Sequence, residues 1–204
     1  MYSKSDEILF HDLKKRLASN NNDVEALIEL GTLLFVKDSY DESAEYLKRA
    51  LELEPENPEA LFWYARFLYY WHANYEMASD LLKKALKIDR DCTKCILLLA
   101  STMHHLGKNP AEYINLLEHA AEIEPDWVSS NIELAKALFE LGEFEEAKFV
   151  AQKALFLLDK KPSLLFVNSV ESYFFHVIMG GDSDLSRKAL QELLGRINSK
   201  KEGD

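Results

Sequence analysis

The amino-acid sequence predicts an all-α chain built of stacked antiparallel helix pairs, and three observations carry that prediction. The chain resembles itself at a spacing of about 34 residues, the length of two short helices and their connections. Each copy holds two amphipathic stretches of helical length separated by a brief polar or glycine-containing turn. Only seven glycines and five prolines interrupt 204 residues, too few for the many tight turns of a sandwich or barrel.

Taken in order, residues 1–22 read as an N-terminal capping helix, with Ile8, Leu9, Leu13 and Leu17 forming one apolar stripe toward the first repeat. Residues 23–161 hold four copies, at 25–57, 59–91, 94–126 and 129–160. Ser39 and Glu42 have capping-box spacing, so the second helix of the first copy is expected to begin there. Asn109 followed by Pro110 supplies an N-cap and a first helical residue. Pro58 and Pro162 stand where helices should start, and Pro55 and Pro125 where they should stop. Gly31, Ala65, Ala100 and Ala135 recur in the first helices, and Ala50, Ala85, Ala120 and Ala154 in the second, where a bulky side chain would force two helices apart. Residues 162–198 read as a degenerate fifth pair, from stretches 163–179 and 184–197, and 199–204 as a tail. Leu185, Ala189, Leu190, Leu193 and Leu194 give the last helix its apolar face, and Arg187, Lys188, Gln191 and Glu192 keep the other side wet. The whole is read as one domain, since a stack needs polar-backed ends to avoid open-ended association.

Composition narrows function. The chain is 48% hydrophobic and 29% charged, as expected of a globular protein, and its net charge is −11. That charge opposes phosphate backbones and anionic membranes, so neither nucleic acid nor membrane is the expected partner. The N-terminus lacks the apolar block of a signal peptide, and no apolar run approaches the ~20 residues of a membrane span. With two cysteines, a reducing cytoplasmic setting is expected.

The four copies resemble the tetratricopeptide repeat, whose pattern is W-x2-L-G-x2-Y, then A-x3-F, then a closing Pro. The first copy places Leu27, Leu30, Gly31, Leu34, Ser43, Leu47 and Pro55 there. The second places Leu61, Tyr64, Ala65, Leu68, Ala78, Leu82 and Arg90, and the third Ile96, Leu99, Ala100, Met103, Tyr113, Leu117 and Pro125. The fourth has Asn131, Leu134, Ala135, Leu138, Ala147, Ala151 and Asp159. Tyr113 departs from a small residue and Asn131 from an aromatic one, which puts the local packing of those copies in question. The second copy is also similar to the aromatic-rich half-a-TPR (HAT) variant found in RNA-processing assemblies. The resemblance implies a right-handed superhelical α-solenoid with helical caps at both ends, and a concave groove for a protein or peptide partner.

The run "FWYARFLYYWHANY", residues 62–75, packs eight aromatic residues into one stretch. Leu61, Tyr64, Ala65 and Leu68 follow the core stripe of a helix, while Phe62, Arg66 and Tyr69 form a second, rotated stripe. In the family that second stripe lines the groove. Carried along the chain it comprises Ile28, Thr32, Phe35, Phe62, Arg66, Tyr69, Leu97, Ser101, His104, Ile132, Lys136 and Phe139. Such a surface suits an apolar helix or extended segment bearing an acidic group, with Arg66 and Lys136 orienting that group; aromatic residues and arginine are enriched at binding hot spots. Plain packing, or filling of the groove by the chain's own capping helices, is the competing reading. The family's terminal-carboxylate clamp would need basic and amide residues where Ile28, Thr32, Trp63 and Leu98 stand, and only Lys94 fits.

"CTKC", Cys92 to Cys95, could set a thiol pKa at a helix start or supply half a zinc site. It lacks a βαβ context and nearby further ligands, so it is read as two small residues at a helix entrance. His104 and His105 point about 100° apart on a helix and make poor co-ligands. No phosphate loop, nucleophile elbow or HExxH is present. The expected function is therefore a non-enzymatic scaffold or adaptor that needs no cofactor and no metal. The alternatives are a client chaperone shielding a hydrophobic or basic segment, and a CxxC-dependent metal or redox protein. Phe166, Phe174, Phe175 and Ile178 exceed what one capping helix covers, which leaves room for a homo-oligomer.

Overall fold

The computed structural model describes residues 4–160 and 183–201, and every regular element among them is helical. The helices are α1 (Lys4–Ser19), α2 (Val24–Val36), α3 (Tyr40–Leu53), α4 (Pro58–Tyr70), α5 (Tyr75–Ile88), α6 (Thr93–His105), α7 (Ile114–Ile123), α8 (Val128–Leu141), α9 (Phe144–Lys160) and α10 (Ser183–Lys201). A short 3₁₀ turn, Pro110–Glu112, precedes α7. The residues group into two compact units, Met1–Thr102 and Met103–Asp204. Among the described residues no helix is long and apolar enough to cross a membrane.

In the first unit α1 packs on α2, α2 on α3, α3 on α4 and α4 on α5. The capping helix buries Leu13 against Ala26, Leu30, Leu33 and Leu34, flanked by Phe10 and Leu17. Its buried stripe is therefore Phe10, Leu13 and Leu17, at i, i+3 and i+7. The sequence expectation that Ile8 and Leu9 join this stripe is corrected, Leu9 being 36% exposed. Ile8 lies five residues from Leu13, about 140° around the helix, and is 64% exposed. Polar ties fix α1: Arg16 pairs with Asp23 at 3.1 Å and Glu25 at 2.9 Å, and Lys37 with Asp6 at 2.5 Å. Asp23 also caps α2 by accepting from the Ala26 amide at 3.0 Å. That amide first, and the guanidinium second, hold its carboxyl below the ordinary carboxylate range.

Close approach within the first pair explains its small residues. The Ser43 hydroxyl donates to the Gly31 carbonyl at 2.7 Å, and a Cβ built on Gly31 would lie 2.8 Å from Leu47 Cγ. Helix starts follow the sequence in most places. Asn57 accepts from the Ala60 amide at 3.1 Å with Pro58 beside it, and Asn74 accepts from the Met77 amide at 3.2 Å. Ser39 precedes α3 as expected, but its side chain makes no cap bond, with φ −91° and ψ 62° placing it outside the usual extended cap geometry. The helices before Pro55 and Pro125 end at Leu53 and Ile123.

In the second unit the two departures from the repeat pattern have structural consequences. Asn109 and Glu112 form a reciprocal cap: the Asn109 side chain accepts from the Ala111 amide at 3.0 Å, and Glu112 accepts the Asn109 N–H at 3.2 Å. Tyr113 then leaves helical geometry, with φ −129° and ψ −1°, so the second helix of this copy is split into the 3₁₀ turn and a short α7. A phenol cannot approach a neighbouring helix as nearly as the Ser43, Ala78 or Ala147 that stand there in the other copies. It is buried, and burial first, with Glu140 and Glu133 adding, pushes its pKa up to about 12. Asn131, also buried, replaces aromatic bulk with hydrogen bonds; its amide donates to the Trp127 carbonyl at 2.9 Å and the Pro125 carbonyl at 3.3 Å, tying down the loop before α8.

At the C-terminal end α10 packs on α9 and α8. Arg187 pairs with Asp159 near one end, and Lys148 donates to Asn198 at 3.1 Å near the other, so α10 runs antiparallel to α9. Leu190, Leu193 and Ile197 form its buried seam, whereas Ala189, expected on that face, is exposed. The helix continues to Lys201, past the start of the expected tail at residue 199. The stretch 163–179, with Pro162, Phe166, Phe174, Phe175 and Ile178, lies outside the described residues.

Candidate functional site

The stripe expected to line a groove divides between the two units. In the first unit Ile28, Thr32 and Phe35 lie on α2, Phe62, Arg66 and Tyr69 on α4, and Leu97 and Ser101 on α6. α2 and α4 come from successive repeats and touch directly, and their large side chains fill the space between them. Phe35 is 0% exposed, Phe62 4%, Leu97 1% and Arg66 4%. Trp63, which sequence reasoning left unassigned, joins them: its ring lies 5.9 Å from Phe35 and 5.4 Å from Phe62.

Arg66 is the centre of this cluster. Its guanidinium lies 5.2 Å from the Trp63 ring, 5.8 Å from Tyr70, and 5.9 Å from both Phe35 and Phe62. Four aromatic faces take the place of water around the cation, an arrangement worth about 2 kcal/mol or more when desolvated. A second cation closes the same cluster: Lys94 sits 4.8 Å over the Phe62 ring and pairs with Glu59 at 2.8 Å. Glu59 also accepts the Trp63 indole N–H at 2.6 Å. Of the expected residues in this unit, Thr32, Tyr69 and Ser101 are only half-buried. The Tyr69 ring packs against Tyr70 at 4.7 Å and Tyr75 at 5.4 Å.

In the second unit the same stripe stays more open. His104 is exposed, its Nδ1 3.5 Å from a Glu140 carboxylate oxygen. On α8, Lys136 is exposed and pairs with Glu133 at 2.8 Å, and Ile132 and Phe139 are half-buried. Phe139 lies 5.6 Å from Phe144 and under the Arg196 guanidinium of α10, 4.5 Å away. That contact from α10 was not legible in the sequence, because nothing in the spacing says where the last helix docks.

Cys92 and Cys95, read as two small residues at a helix entrance, are joined by a disulfide, with Cys95 buried and Cys92 half-buried. Among the described residues no group of three or more His, Cys, Asp or Glu side chains is placed to hold a metal ion.

Comparison with known families places these pairs. A family model described as "Anaphase-promoting complex, cyclosome, subunit 3" matches residues 36–120, and one described as "Tetratricopeptide repeat" matches residues 128–155. The chain is a tetratricopeptide-repeat protein. Solved structures share its fold at low sequence identity. MamA matches with TM-score 0.65 and 22% identity over 74% of this chain and 88% of that one. YrrB, described as a TPR protein with an unusual peptide-binding site, matches with TM-score 0.66 and 17% identity over 91% of this chain and 90% of that one. A fragment of MamA from Desulfovibrio magneticus RS-1 matches with TM-score 0.66 and 18% identity over 78% and 88%. A search of curated protein sequences gave no match. In this tetratricopeptide frame, the residues that still offer surface on the expected stripe are Thr32, Tyr69 and Ser101 in the first unit, and Ile132, His104, Lys136 and Phe139 in the second.

Proposed function

We propose that this tetratricopeptide-repeat chain is a non-catalytic interaction scaffold that holds an apolar helix or extended segment of a partner protein. The reading is supported by the repeat fold and by one contrast. The stripe on α2 and α4 is buried at Ile28, Phe35, Phe62 and Arg66 and half-buried at Thr32 and Tyr69, whereas on α8 Ile132, Lys136 and Phe139 all keep surface at i, i+4 and i+7. A partner's side chains would bury against Ile132 and Phe139, with Lys136 and the nearby Glu133, Glu140 and His104 giving polar register around them. A preformed helical surface leaves most of the ordering cost to the partner alone. Similarity to a structure described as having a peptide-binding site is consistent with this role. The test is capture of partners from lysate by the wild type beside Ile132→Glu and Phe139→Ala, each shown to be folded by circular dichroism. Partners retained only by the wild type support the reading. Identical capture by the folded variants refutes it.

A further inference from the structure

Away from that stripe, one edge of the first unit combines an exposed indole, strained turns and a concentration of carboxylates. The turn between α2 and α3 and the turn between α4 and α5 meet there, because Tyr40 stacks on Trp71 with centroids 4.0 Å apart and planes 31° from parallel. Tyr40 is fixed from both sides: its hydroxyl donates to Asp38 at 2.6 Å, and its ring meets Phe35 edge-on at 5.1 Å. Trp71 therefore has one face backed by an immobilised ring, yet remains 54% exposed.

Both turns carry backbone strain. The corresponding turns of the third and fourth copies use glycine at positive φ, Gly107 at 67° and Gly142 at 86°. Here the positive-φ residues are Asp38 at 61° and Ala73 at 48°, the non-glycine cases among the described residues. Side chains in that region cost free energy and tend to persist where a function needs them. At Asp38 the side chain retained is the carboxylate that orients Tyr40.

Charge decides the ligand. Asp38, Asp41, Glu42 and Glu76 are exposed on these turns and on the first turns of α3 and α5, in a chain of net charge −11. The nearby cations are engaged elsewhere: Lys37 holds Asp6 at 2.5 Å, and Arg66 is buried among rings. The His72 ring turns against Phe67 at 4.9 Å. An apolar helix laid here would strip water from four carboxylates, whereas a cation gains from both the indole and the field.

We propose that this edge binds an arginine-bearing segment of a partner protein, with a guanidinium stacked on the open face of Trp71 and the surrounding carboxylates holding the segment's positive charge. Arginine fits better than lysine, because its planar, weakly hydrated guanidinium stacks on an aromatic face while keeping its donors for carboxylates. This surface is independent of α8, so the proposal stands or falls apart from the scaffold reading above.

The test uses the full chain and a labelled capped peptide of alternating glycine and arginine, read by fluorescence anisotropy. The Trp71 indole N–H is followed by NMR in the wild type. Binding weakened about two- to fivefold by Trp71→Ala is expected, the loss of one exposed cation–π contact. Asp38→Asn should weaken it as well, the lysine version of the peptide should bind less tightly, and Phe149→Ala, an exposed aromatic on α9, should leave binding unchanged. A shift of the Trp71 indole signal on titration supports the site even if Trp71→Ala fails to fold. Equal binding by folded Trp71→Ala, an unmoved indole signal, or equal loss with Phe149→Ala would show only diffuse attraction to an acidic protein and would overturn the proposal.

Discussion

Replacing Gly31 by alanine tests whether the small residues of the repeat are set by helix approach or merely by composition. The new Cβ would stand 2.8 Å from Leu47 Cγ, 3.0 Å from Leu47 Cδ2 and 3.3 Å from the Ser43 carbonyl oxygen. Leu47 is fully buried, and Cγ is its branch point, so it cannot swing aside as the end of a long side chain can. Overpacking of this kind costs about 1–3 kcal/mol. Alanine in place of glycine within a helix returns about 1 kcal/mol. The net expectation is a loss of about 1 kcal/mol and at most about 2. The same substitution at Gly195 meets nothing within 4 Å and should instead stabilise by about 1 kcal/mol. Urea unfolding followed by circular dichroism compares the two variants with the wild type. The mechanism has its own control. In a Leu47→Ala background the clash is gone, so Gly31→Ala should turn neutral or stabilising, a coupling of about 1–2 kcal/mol. Gly31→Ala as stable as the wild type, with no coupling to Leu47, would show that the helices do not need a bare backbone there.

Three further outcomes are expected. Ala73→Gly removes a side chain held at φ 48° and should stabilise by about 1 kcal/mol in the same assay. Tyr113, its pKa pushed from 10 to about 12, favours the fold as the neutral phenol, so its contribution is complete below pH 10 and is lost as pH rises toward 12. Tyr113→Phe should therefore flatten the decline of melting temperature in that window; an unchanged slope would place the phenol in water. Reducing the Cys92–Cys95 disulfide opens only a short loop and should cost at most about 2 kcal/mol in thermal melts with and without dithiothreitol, leaving the helical content intact.

Helix pairs, the starts signalled by Pro58 and by Asn109 with Pro110, and the close-approach residues Gly31, Ala65 and Ala50 were legible in the sequence, because capping and amphipathic period are local properties; the caps at Asn57 and Asn74 came only with the structure. Periodicity fixes the angle of a side chain around its own helix, but not what a neighbouring repeat sets against it. Phe62 and Arg66 share a stripe by spacing, yet only contact between α2 and α4 showed them buried with Phe35 and Trp63, while Ile132, Lys136 and Phe139 kept surface on α8. Trp71 belonged to a conspicuous aromatic run, but its stacking on Tyr40 depends on two turns far apart in the chain. The break at Tyr113 was signalled as a departure, and its form, a 3₁₀ turn and a shortened helix, followed from where a phenol could be housed. Sequence determined the helices and the residues that let them approach; the tertiary structure decided which faces are spent on each other and which keep surface, because burial belongs to pairs of elements and is not a property of one.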